Sequence, residues 1–142
     1  MTTDRFARGV ALLGAVFWLV FGVWAFVSPH SFFDTIATFK PYNKHFLHDA
    51  GAFQIGLGLA LLLGLTRLNT LATVLTASAA ASVFHELAHI LDRDLGGKTT
   101  DPIGLGIIAL LTIAAAAAAW PLTGPASSQP QPQPHPKPKA KP

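Results

Sequence analysis

No cysteine occurs among the 142 residues, so neither a disulfide framework nor a thiolate metal site is available, and any metal would be held by nitrogen and oxygen. Charge is almost as scarce. Asp, Glu, Lys and Arg make up 12% of the chain against 51% apolar residues, about half the charge share of a soluble globular domain. The stretches Gly9 to Val27 and Gly104 to Trp120 carry no charged residue at all, and runs of that length are membrane spans. Also missing is the alternation of polar and apolar residues that a barrel strand needs, so the spans are helical. The net charge of +3 does not point to nucleic acid, because three lysines lie in the last six residues and the other cations flank apolar runs. The basic balance reads as membrane orientation.

Four apolar segments are present, at about residues 9–27, 44–65, 70–91 and 103–120. Each is about 18 to 22 residues long, and at about 1.5 Å per residue reaches across a hydrocarbon core of roughly 30 Å. The first is longer than a signal-peptide core and meets no small-x-small cleavage site before Ser28 and Pro29, so it is read as a retained helix. Between the first two segments, Phe32, Phe33, Ile36 and Phe39 have helical spacing, which predicts a short interfacial helix within residues 28–43. Pro41 then breaks the chain and Asn43 is suited to cap the second span. Small residues at Ala52, Gly56, Ala60 and Gly64, and at Thr73, Ala77 and Ala81, predict stripes for close helix contact. After residue 122 the chain turns to Pro, Gln, Ser and Lys, a composition that predicts a disordered tail over 123–142.

Four crossings would place Arg5, Arg8, Arg67, Lys137, Lys139 and Lys141 on one side, against the single acid Asp4. The other side would carry Lys40, Lys44, Arg93 and Lys98 among five aspartates. Both termini are therefore expected in the cytoplasm.

Two polar constellations fall in these spans. The first runs from Pro41 to Gly51, where His45, His48 and Asp49 share a helix face by their spacing of three and four. The second runs from Phe84 to Asp92, where His85, His89 and Asp92 share a face and Glu86 is turned about 100° away. One cluster opens its helix and the other closes the next, so both belong to the same leaflet and can face each other. His85 and Glu86 lie deepest, about 9 to 10 Å inside Asp92 along the helix. Ionisable groups at such depth mark paired or functional sites.

These residues support three readings. His85, His89, Asp92, His48 and Asp49 are candidate ligands for zinc or another divalent metal, with Asp49 as ligand or as orienting partner of an imidazole. Haem b would need axial histidines on facing helices, and His48 with His85 or His89 supplies them. His85-Glu86-Leu87-Ala88-His89 also matches HExxH, which would make Glu86 the catalytic group of a zinc metalloprotease, although nothing else in the chain suggests a cleft for a peptide. The structural alternative is a non-catalytic accessory or scaffold subunit whose polar residues cap helices and bond across the bundle.

Pro41-Tyr42-Asn43-x-His45-x3-Asp49-x-Gly51, followed by His85-x3-His89-x2-Asp92, resembles the motifs of a family of small four-helix actinobacterial membrane proteins with no assigned activity. The resemblance spans roughly residues 9 to 120. It implies a multi-pass protein of the bacterial plasma membrane. In that family the Glu86 position is not fixed, which weakens the protease reading. The expectation is therefore an all-α membrane protein: a four-transmembrane-helix bundle over residues 1–122 with a short interfacial helix and a disordered tail. It carries an outer-leaflet His/Asp site for metal or haem, binds rather than catalyses, and has the lipid bilayer and other membrane subunits as partners.

Overall fold

The structure, a computed structural model, describes residues 2–120; the expected disordered tail over 123–142 lies outside the described residues. Five helices follow one another: α1 (Thr2–Val27), α2 (Pro29–Thr35), α3 (Lys44–Thr66), α4 (Leu68–Leu91) and α5 (Asp101–Ala119). No strand occurs among the described residues. The long helices α1, α3, α4 and α5 are each long and apolar enough to cross a membrane. Their outward surface agrees with that, since Leu13 (72%), Leu63 (67%), Phe84 (70%) and Leu110 (68%) stand exposed. Apolar surface of that extent is unfavourable in water and suits a bilayer.

The helix ends follow local chemistry. α1 begins well before its apolar run because Arg8 Nε donates to Asp4 Oδ1 one turn earlier (3.0 Å). Arg8 Nη1 also donates to the Leu65 carbonyl at the far end of α3 (3.2 Å). α3 starts where Asn43 Oδ1 accepts from the Phe46 N–H (3.0 Å), as the sequence suggested. Asn43→Ala should therefore cost about 1 kcal/mol of stability, measured by thermal melting of the purified protein. α5 starts at Asp101 rather than at residue 103, with Pro102 in the first turn and Asp101 Oδ2 accepting from the Lys98 N–H (2.8 Å).

α1 packs chiefly on α3, and α4 on α5, while α3 and α4 touch much less. The four meet tightly at the end that holds the Arg67 turn. There Ala7, Ala11 and Ala15 of α1, Leu61 of α3, Leu71 and Leu75 of α4, and Ala115 and Ala119 of α5 form one buried cluster. Alanines let the backbones approach, so this end has little room between helices. Trp18 closes the cluster, its Nε1 donating to Ser78 Oγ across the bundle (3.3 Å, buried).

The α1–α3 seam is set by glycines. A Cβ on Gly51 would lie 2.7 Å from the Gly22 carbonyl oxygen and 2.9 Å from the Phe26 nitrogen. One on Gly22 would lie 2.8 Å from the Ile55 nitrogen. Gly58 meets Leu19 in the same way. This corrects the expected stripe: Ala52 is exposed, Gly56 has open space around it, and Gly64 alone of that set is tight, against Val74 of α4. Thr73 and Ala77 are likewise exposed. The contact face of α3 is one position away, on Gly51 and Gly58, because Gly22 offers a matching gap on α1.

The segment between α1 and α3 departs from expectation at its end. α2 is only seven residues, with Pro29 at its first turn. Phe32 is buried against Ala25 and Leu47. Phe39 does not continue the helix; residues 37–43 run without regular structure over the same end of the bundle.

Candidate functional site

At the α2 end the paired helices part, and the space between α1/α3 on one side and α4/α5 on the other is a cavity of about 860 Å³. Its wall is aromatic: Phe17, Trp18 and Phe21 come from α1, Phe32 and Phe33 from α2, and Phe46 and Phe53 from α3. The opposite wall carries the polar groups. His85 and His89 line the cavity from α4, Asp92 from the residue that ends it, Asp101 from α5, and Lys98 from the loop before it. Lys40, Asn43, Gln54 and Thr100 are the other polar residues along its lining.

The two imidazoles form a contact pair, with ring centroids 5.0 Å apart and planes at 63°. The deeper ring, His85, lies 6.3 Å from Trp18. The outer ring, His89, meets Phe39 edge-on at 5.4 Å, and its Nδ1 is 3.9 Å from Asp101 Oδ2, too far for a direct hydrogen bond but close enough to orient an N–H toward the carboxylate. Two glycines bring the roof down on this pair. Gly96 (φ +146°) and Gly97 (φ +79°) hold backbone conformations that L side chains rarely adopt. A Cβ at 96 would lie 2.8 Å from the Thr38 carbonyl oxygen, and one at 97 would lie 2.9 Å from Phe39 Cζ. The loop over 92–100 can therefore lie directly on the segment carrying Phe39.

His85, His89 and Asp92 do share one wall, as their spacing indicates. The first cluster does not join them. His48 stacks on Phe26 at 5.1 Å, on the far side of α3, and His45 pairs with Asp49 (3.4 Å) at an exposed position. None of His45, His48 and Asp49 lines the cavity. Both clusters are at the same end of the bundle, but they do not face each other. The cause is the glycine seam: pressing Gly51 and Gly58 onto α1 turns the face bearing His45, His48 and Asp49 outward and the face bearing Phe46, Ala50 and Gln54 inward.

Consequently His48 and Asp49 stand apart from His85 and His89 as metal ligands, and His48 is not across from either as a second axial ligand. Among the described residues, no group of three or more His, Asp or Glu side chains is arranged to hold a metal ion. Glu86 is turned into the α4–α5 seam, where a Cβ on Gly106 would be 3.5 Å from its Oε1, and its Oε2 is buried without a hydrogen-bond partner. It does not share the cavity with the histidines.

The residues missed from sequence are Asp101, Gln54, Phe39 and Trp18. Gln54 did carry a signal, as the only amide within the second apolar run. Asp101 was counted only among the aspartates of the other side, and its closeness to His89 depends on how α5 docks. Comparison with family models, with curated proteins and with solved structures gives no match to this chain.

Proposed function

We propose that the protein is a multi-pass plasma-membrane protein that binds a small amphipathic organic molecule in the cavity at its α2 end, without catalysing a reaction on it. The observation that carries this reading is the cavity itself: about 860 Å³, walled by aromatic rings, with the His85–His89 pair inside. Small-molecule sites have this character, an apolar enclosure with a few placed polar groups. The imidazoles supply directional hydrogen bonds, and the aromatic wall supplies contact area. Haem b is one member of this ligand class, held through a single axial imidazole of the pair. The test is solvent extraction and mass spectrometry of protein purified without chelator, with an absorption spectrum. A stoichiometric organic molecule supports the reading; protein bare of any such molecule, with no Soret band, removes it.

The α2 end is proposed to face outward, from the excess of Lys and Arg on the Arg67 side. Reporter fusions after Trp120 should be cytoplasmic and fusions near Gly97 external. An external reporter after Trp120 would invert the placement.

A second reading, an accessory subunit, is favoured by one feature. Thr73, Thr76, Ala77 and Ala80 leave a small-residue face of α4 exposed, suited to a neighbouring helix. Crosslinking from Ala77→Cys in native membranes should capture a partner helix under this reading and lipid alone otherwise.

A further inference from the structure

The cavity has a side as well as a mouth. α3 and α4 are held together at the Arg67 turn, where Gly64 meets Val74. Away from it they separate, because α3 is fastened to α1 by Gly22 and Gly51 while α4 follows α5. On the α3 edge of this gap, Phe53 lines the cavity and yet is 80% exposed. On the α4 edge stand Ala81 and Ala88, both cavity-lining and both small. The gap lies between helices whose outer faces are apolar, so it opens onto hydrocarbon.

The polar groups restrict what can sit inside. Gln54 Oε1 is buried and has no hydrogen-bond partner. An orphaned acceptor of this kind is costly unless a ligand donates to it. With the His85–His89 pair on the opposite wall, hydrogen-bonding groups stand on two sides of an aromatic enclosure. At the mouth, Lys40 and Lys98 are balanced by Asp92 and Asp101, which favours a headgroup of no net charge over a phosphate or a dicarboxylate.

Resting on the ligand-binding reading above, we infer that the occupant is a quinol with an isoprenoid tail, taken up sideways from the bilayer through the gap between α3 and α4. Its ring lies flat among the aromatic side chains, one ring hydroxyl bonds an imidazole nitrogen and the other donates to Gln54 Oε1. Its tail leaves between Phe53 and Ala88.

Native mass spectrometry of the full chain in phosphatidylglycerol nanodiscs tests this, using discs loaded with menaquinone-4 or with menadione, the same ring without the tail, each kept reduced to its quinol by dithionite. One menaquinone-4 per protein is expected, with menadione occupancy at least tenfold lower. Ala88→Trp, which fills the gap, and Gln54→Leu, which removes the amide, should each lower menaquinone-4 occupancy at least fivefold, while Ala77→Trp, outside the gap on the same helix, should not. Equal occupancy by menadione and indifference to Ala88→Trp would overturn the sideways route and leave the binding site standing. Retention of some other native molecule with neither quinol bound would overturn the ligand class. Protein that carries nothing from native membranes and takes up neither quinol would remove the binding reading as well.

Discussion

Gly51→Val should leave almost no folded protein. The added Cβ would stand 2.7 Å from the Gly22 carbonyl oxygen and 2.9 Å from the Phe26 nitrogen, and both are backbone atoms within α1, so neither can step aside as the tip of a flexible side chain would. The two helices must separate or rotate, and overpacking of this kind costs about 3 kcal/mol. That is a large part of the stability of a small protein. Gly22→Val should behave alike, since its Cβ meets the Ile55 nitrogen at 2.8 Å. Gly56→Val is the control: the same residue types change in the same helix, but nothing lies within 4 Å of the new Cβ, and the effect should stay within about 0.5 kcal/mol. Thermal melts and size-exclusion profiles in mild detergent read the difference. Equal behaviour at 51 and 56 would mean that α3 meets α1 on another face, and with it the outward placement of His48 would fall.

The second large effect concerns the site. His85→Phe keeps a ring of similar size against Trp18 but removes both nitrogens, and His85→Phe combined with His89→Phe leaves that wall with no imidazole donor. Each lost hydrogen bond is worth about 1 kcal/mol when its partner can be solvated and more when it cannot, so the double variant should lower ligand occupancy at least tenfold while the protein remains folded. His48→Phe and Asp49→Asn should leave occupancy unchanged, because these groups lie on Phe26 and on His45, outside the cavity. Occupancy is read by the yield of extracted ligand per mole of protein. Loss of ligand in His48→Phe equal to that in the double variant would restore the facing-cluster arrangement that the spacing alone suggests.

The spans were legible because hydrocarbon thickness imposes a length and an apolar composition that few other structures share. Their order and the shared end of the two histidine clusters follow from simple counting of crossings. The azimuth of α3 was not legible. Two faces of that helix carry small residues at helical spacing, Gly51 with Gly58 and Ala52 with Gly56 and Ala60, and only the gap at Gly22 on another helix decides between them. The same rotation decides whether His48 or Gln54 enters the cavity. On α4 the spacing of His85, His89 and Asp92 did indicate a common wall, because they share one face whichever way the helix turns. Phe39 had the right spacing for an amphipathic helix, but the stretch that holds it runs over the cavity instead, and its contact with His89 depends on the glycine loop at 96 and 97. The cavity itself has no local signature, since it arises from two helix pairs parting.

An experimental density map of the full chain in lipid nanodiscs prepared from its native membrane tests the central claim most directly. The account predicts density for one ringed molecule between Trp18 and the His85–His89 pair, within hydrogen-bond distance of an imidazole nitrogen, with His48 on the opposite side of α3 against Phe26. A map in which α3 is rotated so that His48 faces His85 across a metal ion, or in which the aromatic side chains close the space with nothing between them, would contradict it.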